Sequence, residues 1–158
     1  MKFSSKQFDL VKNEAKETYN QFTKVKCPYF SDQVAFNAKG MQHLKFKAWN
    51  KTRSIQDQYM RFKLLKYAPE VIKKSNTLQE ICQKKNFERI KINSRWEERA
   101  ATVNYYGFVA IINEIRIKVI VKEIVGGEKY FWSIIPCWKQ DKSVLNKKIL
   151  HEGNLEKD

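Results

Sequence analysis

The chain has 158 residues, with 31 Lys and Arg against 17 Asp and Glu, a net charge of +14 and a pI near 9.7. That length suits one domain with a sizeable core, and the charge points to a polyanionic partner, nucleic acid ahead of an anionic membrane surface. No apolar run approaches the ~20 residues of a membrane-spanning helix, and no signal-peptide core, lipidation signature, P-loop, dinucleotide fingerprint, nucleophile elbow or repeat is found.

In chain order, Ser4 and Gln7 make an S-x-x-Q capping box. Phe8, Val11, Ala15, Thr18 and Phe22 follow at helical spacing, so a helix is expected over 5–22. Residues 24–37 read as two short extended pieces around Pro28, a small hairpin. Asn37 can cap a helix over 38–49, in which Lys39, His43 and Lys47 form one stripe and Met41, Leu44 and Ala48 another; Gly40 weakens its first turn. Helical spacing resumes at Thr52, with Ile55, Tyr59, Phe62 and Leu65 inward and Arg53, Arg61, Lys63 and Lys66 more exposed. Pro69 opens a short helix over 69–74. Thr77-x-x-Glu80 reads as a further capping box ahead of Ile81, Cys82 and Lys85, while the alternation over 87–99 suits an edge strand.

The longest β-branched and aromatic stretch runs over 105–138. From Ile115 to Lys122 the odd positions are all apolar and Arg116, Lys118 and Lys122 fall on even ones, the period of a strand with one dry and one wet face. Turns at Asn113-Glu114 and Gly126-Gly127 divide it into strands over 104–112, 115–124 and 129–135. With two-residue loops, Lys118 faces Val109 and Ile135, Ile120 faces Gly107 and Ser133, and Lys122 faces Tyr105 and Phe131. One face then carries Tyr105, Gly107, Arg116, Lys118, Lys122 and Ser133, without carboxylates. The other carries Tyr106, Phe108, Ile117, Val119, Val121, Trp132 and Ile134, ready to be covered by helices. The expected fold is α+β: N-terminal helices on one face of a C-terminal antiparallel sheet of about four strands, with a small N-terminal hairpin. Residues 1–138 form the domain, and 139–158 a polar tail with a short helix near 143–150 and a loose end.

Cys27, Cys82 and Cys137 are odd in number and far apart, and His43 and His151 are the sole histidines, so neither a zinc site nor a disulfide framework is expected. The chain reads as a reduced, cytoplasmic protein without cofactor. His43, with Lys39 and Lys47 one turn away on either side, would be kept neutral near pH 7, as a general base requires. Set against that, a lone helix histidine is commonly an ordinary half-buried residue. The chemistry these parts suit is RNA cleavage without metal: a base takes the 2′-OH proton and cations stabilise the charge growing on phosphorus-bound oxygens. Arg53, Arg61, Arg116, Lys118 and Lys122 are the candidate cations, Ser133 a hydrogen-bond donor, and Tyr105 a base-stacking platform.

Helices followed by an antiparallel sheet with a basic face resemble the nuclease superfamily of barnase, EndoU, the colicin D and E5 nuclease domains and RelE-type toxins (the BECR fold). Lys39-x-x-x-His43 with Lys47 looks like the Lys/His helix of colicin D-type nucleases, and Phe131-Trp132-Ser133 like the superfamily's late-strand Ser or Thr. The resemblance implies that His43 is the general base or acid, that Lys39 and Ser133 contact phosphate, and that an aromatic beside the hydroxyl meets substrate. Three functions follow in order: a metal-independent endoribonuclease, as in toxins or mobile-element proteins, with catalytic His43, Arg53 and Ser133 and RNA contacts from Lys39, Lys47, Arg61, Tyr105, Arg116, Lys118 and Lys122; a non-catalytic RNA- or DNA-binding module; and an interaction protein docking an acidic partner, such as an inhibitor.

Overall fold

The computed structural model describes residues 2–137 and 153–158. Ser4 caps α1 (Ser5–Asn20) through the expected capping box, its hydroxyl accepting from Gln7 N at 3.2 Å. β1 (Val25–Cys27) and β2 (Asp32–Val34) form the small hairpin. α2 (Ala38–Lys45) is capped by the Asn37 side chain. It stops four residues short of the expected end, because Phe46 turns extended and opens a second hairpin, β3 (Phe46–Ala48) with β4 (Lys51–Thr52). α3 (Ile55–Leu64), a 3-10 turn and α4 (Ala68–Lys74) follow. The four-stranded antiparallel sheet then runs in sequence order, β5 (Glu80–Ile92), β6 (Arg95–Ile112), β7 (Ile115–Ile124) and β8 (Lys129–Pro136). The architecture is α+β, as expected. The helix anticipated after Thr77 is replaced by β5, whose residues alternate half-buried and exposed over their whole length.

One sheet face and the helices enclose the main core, which includes Tyr106, Phe108, Ile117, Val119, Val121 and Ile134, with Phe62, Leu65, Val71 and Ile72 from the helical layer. Two of the hairpin turns have positive φ at both central residues, Asn93-Ser94 (48° and 67°) and Asn113-Glu114 (49° and 65°). This backbone matches the strands' right-handed twist. Past the end of β7, β5 and β6 continue as a two-stranded ribbon over 85–101. The β1–β2 hairpin reaches the outer edge of β8, where Ala35 exchanges backbone hydrogen bonds with Lys129 and Phe131 at 2.9 and 2.8 Å.

The expected register between β7 and β8 holds from Ile117↔Pro136 to Ile120↔Ser133, then slips by one residue, so that Val121 faces Phe131 and Lys122 faces Tyr130. Trp132 is the extra residue of this β-bulge. Strict alternation would send it into the helix-covered core with Ile134. The bulge instead puts Trp132 on the same side as Ser133, packed toward Tyr105, Ile120 and Leu155. Gly40 fixes where α2 meets β8. A Cβ there would strike the Phe131 carbonyl and sit 2.7 Å from the Tyr19 hydroxyl, so only glycine permits this approach. One turn further along α2 is His43.

Candidate functional site

His43 is 4% exposed, and its ring lies flat on the Trp132 indole, centroids 3.9 Å apart at 20°. Its Nε2 is 2.9 Å from Arg53 Nη2. A guanidinium only donates, so Nε2 accepts and the ring proton sits on Nδ1. Arg53 also donates from Nε to the His43 carbonyl at 2.9 Å and so holds both ring and backbone. Burial, followed by the charges of Arg53, Arg61 and Lys122, pushes the His43 pKa down to about 2. The ring is neutral, as expected. The cations responsible come from other elements, however, not from Lys39 and Lys47.

Arg53 and Arg61, expected to be exposed, are 6% and 1% exposed, whereas Ile55, expected inward, is 56% exposed. The reason lies in the spacing of Arg53, Asp57 and Arg61: Asp57 and Arg61 stack one turn apart on one face of α3, and Arg53, just ahead of the Ser54 cap, reaches the same carboxylate. Asp57 Oδ2 is 3.3 Å from Arg53 Nη1 and its Oδ1 is 2.6 Å from Arg61 Nε. This neutralisation lets the charged face of α3, not the apolar one, turn toward β8. There Arg61 Nη1 donates to the Ser133 hydroxyl at 2.6 Å. Burial lowers the pKa of both arginines, Arg53 to about 10, and the Asp57 carboxylate opposes that shift in each. Arg61 Nη2 is buried and makes no hydrogen bond among the described residues.

Lys122 lies 4.2 Å above the Trp132 ring and 5.5 Å from that of Tyr105. Lys39 lies 5.7 Å from the Tyr130 ring at the same end of the sheet. A cavity of about 370 Å³ opens beside the His43–Trp132 stack, between the β3–β4 hairpin, which supplies Lys47 and Trp49, and the β5–β6 ribbon, which supplies Glu88 and Arg89. His43, Arg53, Arg61, Ser133, Lys122, Lys39, Lys47 and Tyr105 therefore gather in one region. Arg116 and Lys118 do not: they stand toward the opposite end of β7, Arg116 exposed and Lys118 paired with Glu80 at 2.6 Å.

Three expectations for the sheet face are corrected. It carries carboxylates, because β5 was not foreseen as a full strand: Glu88 reaches Lys122 at 2.9 Å and Glu80 reaches Lys118. Tyr105 is 1% exposed, so it is packing material here and not an open stacking platform. The face is also covered, since residues 153–158 are not loose. Leu155 is 4% exposed, packed with Val103, Tyr105 and Ile120, and Asp158 is 1% exposed. The Lys157 carbonyl accepts from Arg53 Nη2 at 2.7 Å, and the Asp158 main-chain oxygen accepts from Ser133 Oγ at 2.7 Å and from Arg61 Nη1. The helix expected near 143–150 lies outside the described residues.

Asp57, Glu88 and this end segment are the site components that sequence reasoning missed. The signal for Asp57 was present in the Arg-x-x-x-Asp-x-x-x-Arg spacing. Among the described residues no group of three His, Cys, Asp or Glu side chains could hold a metal ion, and no helix is long and apolar enough to cross a membrane. Comparison with protein-family models, curated proteins and solved structures finds no match.

Proposed function

We propose that the chain is a metal-independent endoribonuclease whose site is built on His43, Arg53, Arg61 and Ser133. The observation that supports it most is the convergence of a neutral histidine hydrogen-bonded to Arg53 and a Ser133 hydroxyl hydrogen-bonded to Arg61, the two guanidiniums being joined through Asp57. The neutral imidazole would take the 2′-OH proton on Nε2 once Arg53 turns from that nitrogen to the phosphate. The 2′-oxygen then attacks phosphorus, and Arg53, Arg61 and Ser133 hold the non-bridging oxygens as charge builds on them. The bond to the 5′-oxygen breaks, leaving a 2′,3′-cyclic phosphate, and the departing oxygen takes a proton from water or from Lys122, whose ammonium pKa burial lowers. Trp49, 92% exposed on the cavity wall, and Arg89, held 5.6 Å from the Trp96 ring, suit an unpaired base next to the scissile phosphate. The resemblance to toxin-type nucleases fits cytoplasmic RNA as substrate and an acidic inhibitor as a further partner.

A second reading, a nucleic-acid-binding module without catalysis, is favoured by one contact: the His43 Nε2 lone pair is already engaged by Arg53. Incubating the full chain with total RNA in EDTA separates the two. Cyclic-phosphate ends that disappear in His43→Ala support the ribonuclease, whereas intact RNA with a salt-sensitive gel shift leaves only the binding module.

A further inference from the structure

Residues 153–158 form one compact turn. Gly153 has φ +70°, and the Asn154 carbonyl accepts from Lys157 N at 3.1 Å and Asp158 N at 2.8 Å. Three fastenings of the turn are seen among the described residues. Leu155 fills the notch made by Val103, Tyr105 and Ile120. The Glu156 carboxylate is gripped by Lys84 at 2.6 Å and by Asn86 at 3.1 Å on the ribbon, and its carbonyl accepts from Trp132 Nε1 at 3.0 Å. The third fastening is the contact of the Lys157 and Asp158 oxygens with Arg53, Arg61 and Ser133.

The charges explain why an oxygen-rich segment settles there. The folded body supplies Asp57 for two buried guanidiniums, and the Asp158 charge acts favourably on both of them. Without the segment, the cage keeps a positive surplus and an exposed Ser133 donor. A group with several anionic oxygens then fits where the segment's oxygens were.

We propose that residues 153–158 are a removable plug of the His43 site, their oxygens holding the positions that phosphodiester oxygens take when RNA binds. This rests on the reading of the cage as a phosphate site. The segment lies outside any helix or strand, the kind of element that can open locally while the rest of the fold stays closed. Its departure frees the Arg53, Arg61 and Ser133 donors that its main-chain oxygens now engage, and Arg53 is the group that holds the His43 ring. In the plugged form the cage donors are occupied; in the open form they can take the oxygens of a phosphodiester.

The test uses the full chain and two sets of changes outside the cage: Leu155→Ala, which loosens the apolar fastening, and the pair Lys84→Ala with Asn86→Ala, which leaves the segment's own sequence intact. The probe is a short all-deoxy oligonucleotide, which lacks the 2′-OH and is not cut, followed by fluorescence anisotropy. If a closed plug limits the competent fraction, both variants bind about tenfold or more tightly than the unaltered chain. Equal or weaker binding by either set, with a native circular dichroism spectrum, overturns the proposal and makes the segment a permanent part of the fold. The paired surface changes keep this informative should Leu155→Ala unfold. The two ideas also fail separately. Tighter deoxyoligonucleotide binding with RNA left intact removes the ribonuclease and keeps the plug, whereas RNA cleavage at the same rate in all three proteins removes the plug and keeps the ribonuclease.

Discussion

Asp57 is where the site is most sensitive to a single atom-for-atom change. In Asp57→Asn the shape is kept, but the carboxylate that pairs with both Arg53 and Arg61 is lost. The side chains of the two arginines are 2% and 1% exposed, so neither can turn to water for compensation. Removing one partner of a buried ion pair costs about 3–5 kcal/mol, because a charge is left in a medium that solvates it poorly. The lower end applies here, since Arg61 retains Ser133 and both arginines retain the oxygens of residues 157 and 158. Urea unfolding followed by circular dichroism is therefore expected to show a loss of about 3 kcal/mol with an unchanged m-value. Inorganic phosphate should restore part of it, because an anion that binds only the folded state stabilises by mass action. A loss below about 1 kcal/mol would refute the reasoning, as it would mean that the guanidiniums are solvated and the cage is not buried.

The His43 ring is expected to make stability pH-dependent. Its pKa is about 2 when folded and 6.5 when free, so the unfolded chain binds the extra proton between these values. The contribution is complete above pH 6.5 and is lost as pH falls from there toward 2, by up to ~1.4 kcal/mol per pH unit. His43→Gln should flatten that limb in urea titrations, and a ring that titrates near 6.5 by NMR in the native protein would remove the effect. Trp49→Ala, at a fully exposed hairpin position, should leave stability within about 0.5 kcal/mol. It should weaken single-stranded RNA binding by about 1–3 kcal/mol through the loss of one stacked base; undiminished affinity in a filter-binding assay removes Trp49 from the groove's function.

The sheet was legible because its information is local. Alternation from Ile115 to Lys122 and the Asn113-Glu114 turn set which side chains share a face, and the register from Ile117 to Ile120 follows from counting outward from the turns. What escaped depended on a single extra residue or on partners distant in sequence. The bulge at Trp132 shifts one ring across the sheet, and nothing in the composition of Tyr130-Phe131-Trp132-Ser133 marks where the slip occurs. Helical spacing over 38–49 failed at Phe46, whose extended backbone pairs with Thr52, and the capping pattern at Thr77 lost to the long ladder between β5 and β6. In both cases pairing with a later strand overrode a local helical preference. The candidate residues His43, Arg53, Arg61 and Ser133 were named individually from the sequence. Their convergence was not, because it depends on Gly40 bringing α2 onto Phe131 and on a charged helix face turning inward.

The net charge of +14 is a poor guide to where this chain would hold an anion. Two cations that sequence reasoning placed on the basic face are spoken for, Lys118 by Glu80 and Lys122 by Glu88, and so is Lys84 of β5 by Glu156. Each of these cations already has a carboxylate partner, and Lys118 and Lys122 are buried in theirs, so the salt-screened long-range attraction that sets solubility and rate of encounter falls to the exposed cations elsewhere. Arg53 and Arg61 differ in kind. They are buried, fixed in direction by Asp57, His43 and Ser133, and matched by segment 153–158 in both charge and hydrogen bonding. A ligand that satisfies them must offer several oxygens within a small volume and must displace a segment that already does so. On the reading proposed above, selectivity at this site is set by competition with the chain's own residues, and the long-range charge would serve to bring RNA to it.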